Sequence, residues 1–208
     1  MHRPSWTERI LAILLLGGFY VFLVWTLAVG AEIPSPLAEV RQTVTDLKNI
    51  VSNPKLKGAK NHEERRDRLR EKILSRMDFD EMAKRSLGRH WLKLSDPERK
   101  EYLKVFPEYM QYVYRKTVFE SVDFIDSVSI RFLKERIDGE FAEVDLVIDS
   151  SPEDIKVTFK LRLVDGHWKA YDIVIANISQ VQNNRSQFDR VITAHSFKKL
   201  LELLRGKS

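Results

Sequence analysis

The residues that could carry chemistry are few and scattered. The five histidines stand at positions 2, 62, 90, 167 and 195, and His62-Glu63-Glu64 lacks the second histidine one turn on that a zinc-protease helix needs. Cysteine is absent, which excludes disulfides, thiol nucleophiles and thiolate metal sites. Acids occur in pairs, Asp123 with Asp126 and Glu143 with Asp145, the residue types that general acid–base catalysis uses when two carboxylates converge. Their setting reads instead as solvent-facing strand and turn. No Gly-x-Ser-x-Gly, no phosphate loop ending in Lys-Ser/Thr and no Gly-x-Gly-x-x-Gly occurs. Asn177-Ile178-Ser179 and Asn184-Arg185-Ser186 match glycosylation acceptors, a pattern short enough to arise by chance. No catalytic residue, metal ligand or cofactor is assigned.

Elements able to hold a site are easier to read. Ser35-Pro36 is a cap followed by proline at the first helical position, and Leu37, Val40, Val44, Leu47 and Ile50 recur at helical spacing until Asn53-Pro54. Asn61 with Glu64 predicts a capping box for a charged helix carrying Leu69, Ile73 and Met77. Asp78 with Glu81 opens a short helix that Gly88 can end, with Phe79 and Trp91 as core anchors. Ser95-Asp96-Pro97-Glu98 starts a longer helix, expected to kink or break where Pro107 crowds the carbonyl of Leu103.

From Val122 the period becomes two. Val122, Phe124, Val128, Ile130 and Phe132 alternate, then Ala142 to Ile148, then Ile155 to Leu163; Asp165-Gly166 predicts a hairpin returning through Trp168 to Ala176. The fold class expected is α+β: a four-stranded antiparallel meander whose apolar face is covered by N-terminal helices and by a C-terminal segment from Phe188 to Leu204.

With 208 residues and 43% hydrophobic content, one folded domain is expected. Residues 1–31 read differently. Arg3 and Arg9 precede an uncharged apolar run from Ile10 to Val29 and then Gly30-Ala31, the grammar of an export signal. The run is also long enough to serve as an uncleaved membrane anchor. Both readings export residues 32–208. Cleavage would remove Arg3, Glu8 and Arg9 and lower the formal charge from +5 to +4. Mixed charge without a stacking-aromatic motif favours a membrane surface or an acidic partner over nucleic acid. Every apolar stretch after the leader is amphipathic and fits inside one domain, so a monomer is expected.

Two stretches together resemble the MlaC family of periplasmic phospholipid-binding proteins, also described as toluene-tolerance auxiliary transport proteins. The first is Phe79-Asp80, Met82-Ala83, Leu87-Gly88, Trp91, Ser95, Glu98-Arg99 and Phe106; the second is Trp168-Lys169, Tyr171-Asp172, Ser179 and Asn183-Asn184-Arg185-Ser186-Gln187-Phe188. The resemblance runs in order over nearly all of residues 36–205, with Asn184 where the pattern expects an aromatic residue. It implies a non-catalytic carrier that holds phospholipid tails inside and the head group outside. Such a carrier shuttles between an inner-membrane ABC transporter complex and an outer-membrane lipoprotein complex and maintains outer-membrane lipid asymmetry.

Physical chemistry fits that implication. Each exposed CH₂ costs about 0.8 kcal/mol, so one acyl chain carries on the order of 10 kcal/mol against entering water. The resemblance places the cavity between the sheet's apolar face and a helix from 96 to 119. Its lining would come from Phe106, Met110, Val113 and Tyr114 on the helix, and from Val144, Leu146, Ile148, Val157, Phe159, Leu161, Tyr171 and Ile173 on the strands. Arg185 could donate to a lipid phosphate or bond within the fold. Alternative readings are a carrier of hopanoid or another lipid, an anchored adaptor, and a pocket-bearing α+β enzyme.

Overall fold

The computed structural model describes residues 33–115, 128–150 and 152–206. The leader 1–31, the strand positions Val122 and Phe124, the acids Asp123 and Asp126 and the proposed helical extension to 119 lie outside these residues. Residues 34–208 form one compact unit.

Helix α1 spans Pro36–Ser52, and the Ser35 hydroxyl accepts the Ala38 N–H at 3.0 Å. It ends at Asn53, and two short 3₁₀ turns, Pro54–Leu56 and Ala59–Asn61, lead to α2, His62–Ser75. The capping box expected at the start of α2 does not form. The Asn61 amide instead donates to the Lys55 carbonyl at 2.7 Å, closing the connection, while Glu64 binds Arg68 at 2.7 Å. Leu47 and Val51 of α1 bury against Leu69 of α2 in a small core separate from the main one.

Helix α3 is Phe79–Leu87, capped by Asp78, which accepts the Glu81 N–H at 3.1 Å. Gly88 ends it at φ +52° and begins the 3₁₀ turn Gly88–Lys93. Helix α4 is Asp96–Tyr114, and the Glu98 carboxylate accepts from both the N–H and the hydroxyl of Ser95. The break expected at Pro107 is absent. The helix continues because Val105, Phe106, Tyr109 and Met110 on either side of the proline are buried, which offsets the lost hydrogen bond.

The sheet has five antiparallel strands in sequence order: β1 Ile130–Asp138, β2 Phe141–Ile148, β3 Ile155–Val164, β4 His167–Ile175 and β5 Ile178–Ser179. The fifth strand was not expected, since two residues show no alternation. It returns across Ala176 and Asn177, both at positive φ like the Asp165-Gly166 hairpin. Helices α5, Gln180–Ala194, and α6, Phe197–Arg205, complete the chain. Helices α3 and α5 pack on β4 and on each other, and α4 and α6 close the core behind them. Its centre is aromatic: Phe106 meets Phe188 edge-on at 6.4 Å and Tyr102 at 5.5 Å.

Two irregularities set which way side chains point. Leu133 is skipped in the β1–β2 register, and Tyr171 is skipped between Leu161↔Ala170 and Lys160↔Asp172. Ala142, Val144, Leu146, Val157, Phe159, Leu161, Trp168, Ala170 and Ile173 therefore share one face of the sheet.

Candidate functional site

Helix α1 and the end of α2 lie over that apolar face and leave a cleft of about 190 Å³. Val40, Val44 and Leu47 form its helical wall, Phe159, Leu161 and Ile173 its floor, and Ile73 and Met77 one side. Trp168 and Ala170 of β4 complete it. Residues 76–78 are stitched to β4 like a short strand: Ala170 N–H donates to the Arg76 carbonyl and Asp78 N–H to the Ala170 carbonyl, each at 2.8 Å.

The polar groups at the cleft are satisfied within the fold. Glu39, nearly buried, accepts the Trp168 N–H at 2.9 Å and meets His167 Nδ1 at 3.1 Å and Arg76 at 3.4 Å. The Thr43 hydroxyl donates to the Glu39 carbonyl at 2.9 Å. The Glu135 carboxylate takes the Leu37 N–H at 2.7 Å and the Ser35 hydroxyl at 3.0 Å, and Trp168 Nε1 donates to the Pro34 carbonyl at 2.9 Å. Residues 34–39 thus fasten the start of α1 to β1 and β4. Among the described residues, no side chain in the cleft presents a free acid, base or nucleophile, and what they offer is apolar contact.

The candidate residues are distributed over several environments. Phe159, Leu161 and Ile173 line the cleft. Val144, Leu146 and Val157 are buried on the same sheet face, with Ile148 half-buried at its end, but lie outside the cleft's lining. Phe106, Met110 and Tyr114 are buried in the helical core, with Val113 half-buried beside it. Burial pushes the Tyr114 hydroxyl well above its usual range. The helix over the cleft is therefore α1, not α4 as expected. Helix α4 turns its apolar side to α3 and α6, and no α4 residue reaches the cleft.

Tyr171 is also displaced from expectation. Two-residue spacing put it beside Ile173, but the bulge sends it to the opposite face, where its ring meets Phe141 edge-on at 5.9 Å and lies under Arg85 at 4.3 Å. Arg185 stands on that side too, bordering a second cavity. Asn184 is buried and its amide faces Met110 Sδ at 3.5 Å, so a polar residue fills the place of the expected aromatic by packing on a soft sulfur. Phe79 and Trp91, expected as core anchors, are half-buried against the main core.

The Glu143–Asp145 pair belongs to a charge ladder on the sheet's outer face. Arg136 binds both carboxylates, and Lys160 reaches Glu143 at 3.6 Å. Burial works to raise the Asp145 carboxyl, but its bonds to Thr158 and Arg136 hold it below the usual range. That pairing makes it a structural acid. Among the described residues, no group of His, Asp or Glu gathers into a metal-binding cluster, and no helix is long and apolar enough to cross a membrane.

The sequence pointed to the helical stripe Val40, Val44 and Leu47 but gave no reason to set it over the strands. The acid at Glu39 was missed altogether. Its only signal is its place in the first turn of α1, and its partners are distant in the chain: Arg76 lies 37 residues on, His167 and Trp168 more than a hundred.

An antiparallel sheet with an apolar cleft under an N-terminal helix defines a fold of the α+β class. The sequence model of the MlaC protein family matches residues 41–206, and the chain belongs to that family. Its fold is that of a phospholipid-binding protein from Ralstonia solanacearum, solved in complex with a phospholipid. That protein shares 20% identity at a TM-score of 0.67, with 84% of this chain and 97% of that one covered. No curated protein sequence matches the chain.

Proposed function

We propose that this chain is an exported phospholipid carrier working in the periplasm, which takes lipid from or to an inner-membrane ABC transporter complex and exchanges it with an outer-membrane lipoprotein complex. The reading rests on one observation above others: a cleft walled by aliphatic and aromatic side chains, whose few polar residues, Glu39, Thr43 and Arg76, each have a partner within the fold. Such a surface gains from hydrocarbon and offers a reacting bond nothing. Membership of the MlaC family and the phospholipid in the Ralstonia protein support the choice of cargo.

Transfer from bilayer to cleft replaces one apolar contact by another, so no catalytic step or cofactor is required, and the partners set the direction. At about 190 Å³ the cleft is smaller than the ~300–1,000 Å³ of typical ligand pockets, so holding acyl chains requires it to widen. The α1–α2 hairpin is the part suited to give way, since Leu47, Val51 and Leu69 form its own small core and can move with it.

The test is mass spectrometry of an organic extract of the purified protein, repeated after incubation with phospholipid vesicles. Phospholipid in near-stoichiometric amount is expected. A protein that brings none from cells and takes none from vesicles would overturn the carrier reading; a polycyclic lipid in its place would change the cargo.

A further inference from the structure

The face of the sheet turned away from the cleft carries a second, larger feature. A cavity of about 450 Å³ opens between α3, α5 and strands β3 and β4. Lys160 and Asp172 border it, and their strand neighbours Phe159 and Ile173 line the cleft, so the sheet separates the two spaces.

Four cations edge this groove: Lys84 and Arg85 from α3, Lys160 from β3 and Arg185 from α5. Two are already matched, Arg85 with Glu81 at 2.7 Å and Lys160 with Glu143 at 3.6 Å. Lys84 and Arg185 have no carboxylate partner among the described residues. The acids in the groove do not serve them. Glu81 belongs to Arg85, and the buried Asp172 accepts the Ser179 hydroxyl at 2.6 Å and the Val181 N–H at 3.0 Å.

Arg185 lies close over Gly88. A Cβ on Gly88 would fall 2.4 Å from its Nε, so the guanidinium lies against bare backbone in the room that only glycine leaves. Trp91 and Tyr171 add aromatic walls. Cations without internal counter-charges are complementary to carboxylates from outside the molecule.

We propose that this groove docks an acidic polypeptide segment of a partner protein. The cations sit on three separate elements along an open groove and do not converge on one point, which suits carboxylates spaced along a chain better than a single small anion. The proposal is independent of what the cleft holds.

The experiment is fluorescence anisotropy with the purified full chain and a fluorescein-labelled peptide of alternating Glu and Gly, against its Gln-Gly counterpart. Saturable binding of the acidic peptide alone is expected, weakening as salt rises. K84Q/R185Q should bind at least about tenfold more weakly, and K84Q alone severalfold more weakly with melting temperature and co-purifying lipid unchanged, while K57Q/K60Q, neutralised away from the groove, should bind as the parent does. Three results would overturn it: no binding at low ionic strength, equal loss in both variants, or displacement of the peptide by inorganic phosphate where chloride of equal ionic strength does not displace it.

Discussion

Removing the Glu39 carboxylate should loosen the start of α1 and open the cleft, and the cost can be worked from its contacts. In Glu39→Ala the buried Trp168 N–H loses a charged acceptor at 2.9 Å, worth about 1.5–3 kcal/mol. Arg76, 28% exposed and 3.4 Å away, loses a partner partly screened by water, worth about 0.5–1 kcal/mol. Together these come to about 2–4 kcal/mol. For a domain of this size the melting temperature falls about 2–4 °C per kcal/mol, so a drop of about 5–15 °C is expected by circular dichroism. Glu39→Gln keeps an oxygen for the Trp168 N–H and should lose about half as much. Because the bond tethers α1 to the cleft floor, Glu39→Ala should also speed uptake of a fluorescent phospholipid from vesicles. A melting temperature within about 1 °C of the parent would refute the clasp. Normal uptake at reduced stability would separate the clasp from entry.

Ile173→Arg, on the half-buried cleft floor, should lower co-purifying phospholipid in mass spectra while the sheet's dichroism persists, because the long side chain can reach the opening. Leu161→Arg, only 2% exposed, should unfold the domain, and a folded Leu161→Arg protein would mean the cleft is deeper than drawn. Arg162→Ala strands the buried Asp78 carboxylate that it contacts at 2.6 Å, with a cost of about 2–4 kcal/mol in urea melts, partly recovered by Asp78→Asn, which keeps a cap. The carboxyls of Asp145, Asp149 and Asp189 are held below their ordinary 3.8, so the stability they add is complete above about pH 4 and is lost as pH falls through their folded values. Acid titration of Asp145→Asn should show a shallower decline over that window.

Much of this architecture is written in local signals. Ser35-Pro36, Asp78 with Glu81, and Ser95 with Glu98 are caps whose partners lie within three residues, and Asp165-Gly166 is a turn that few other residues can make. Expectation and structure agree there because only neighbours matter. The sequence read less well where distant groups compete. Asn61 looked like a cap until the Lys55 carbonyl claimed its amide. Pro107 looked like a kink or a break, but the helix is unbroken from Asp96 to Tyr114, with buried residues on either side of the proline. The site was half legible for the same reason. Alternation identified Phe159, Leu161 and Ile173 as sharing a face, but which helix would cover them depends on bonds such as Glu39 to Trp168 and Glu135 to Leu37, and no spacing rule contains those.

The bulge at Tyr171 has a genetic consequence. Two-residue alternation ordinarily makes a strand intolerant of lost codons, since one deletion turns every later side chain over. Here Ala170 faces the cleft and Asp172 the groove, as direct neighbours in an unbulged strand would. Deleting Tyr171 alone would therefore join two segments already in phase, leaving the cleft floor intact while stripping the groove of an aromatic wall. A single in-frame deletion can thus alter one side of the sheet without touching the other, so the two surfaces can diverge separately as lineages exchange cargo or partners.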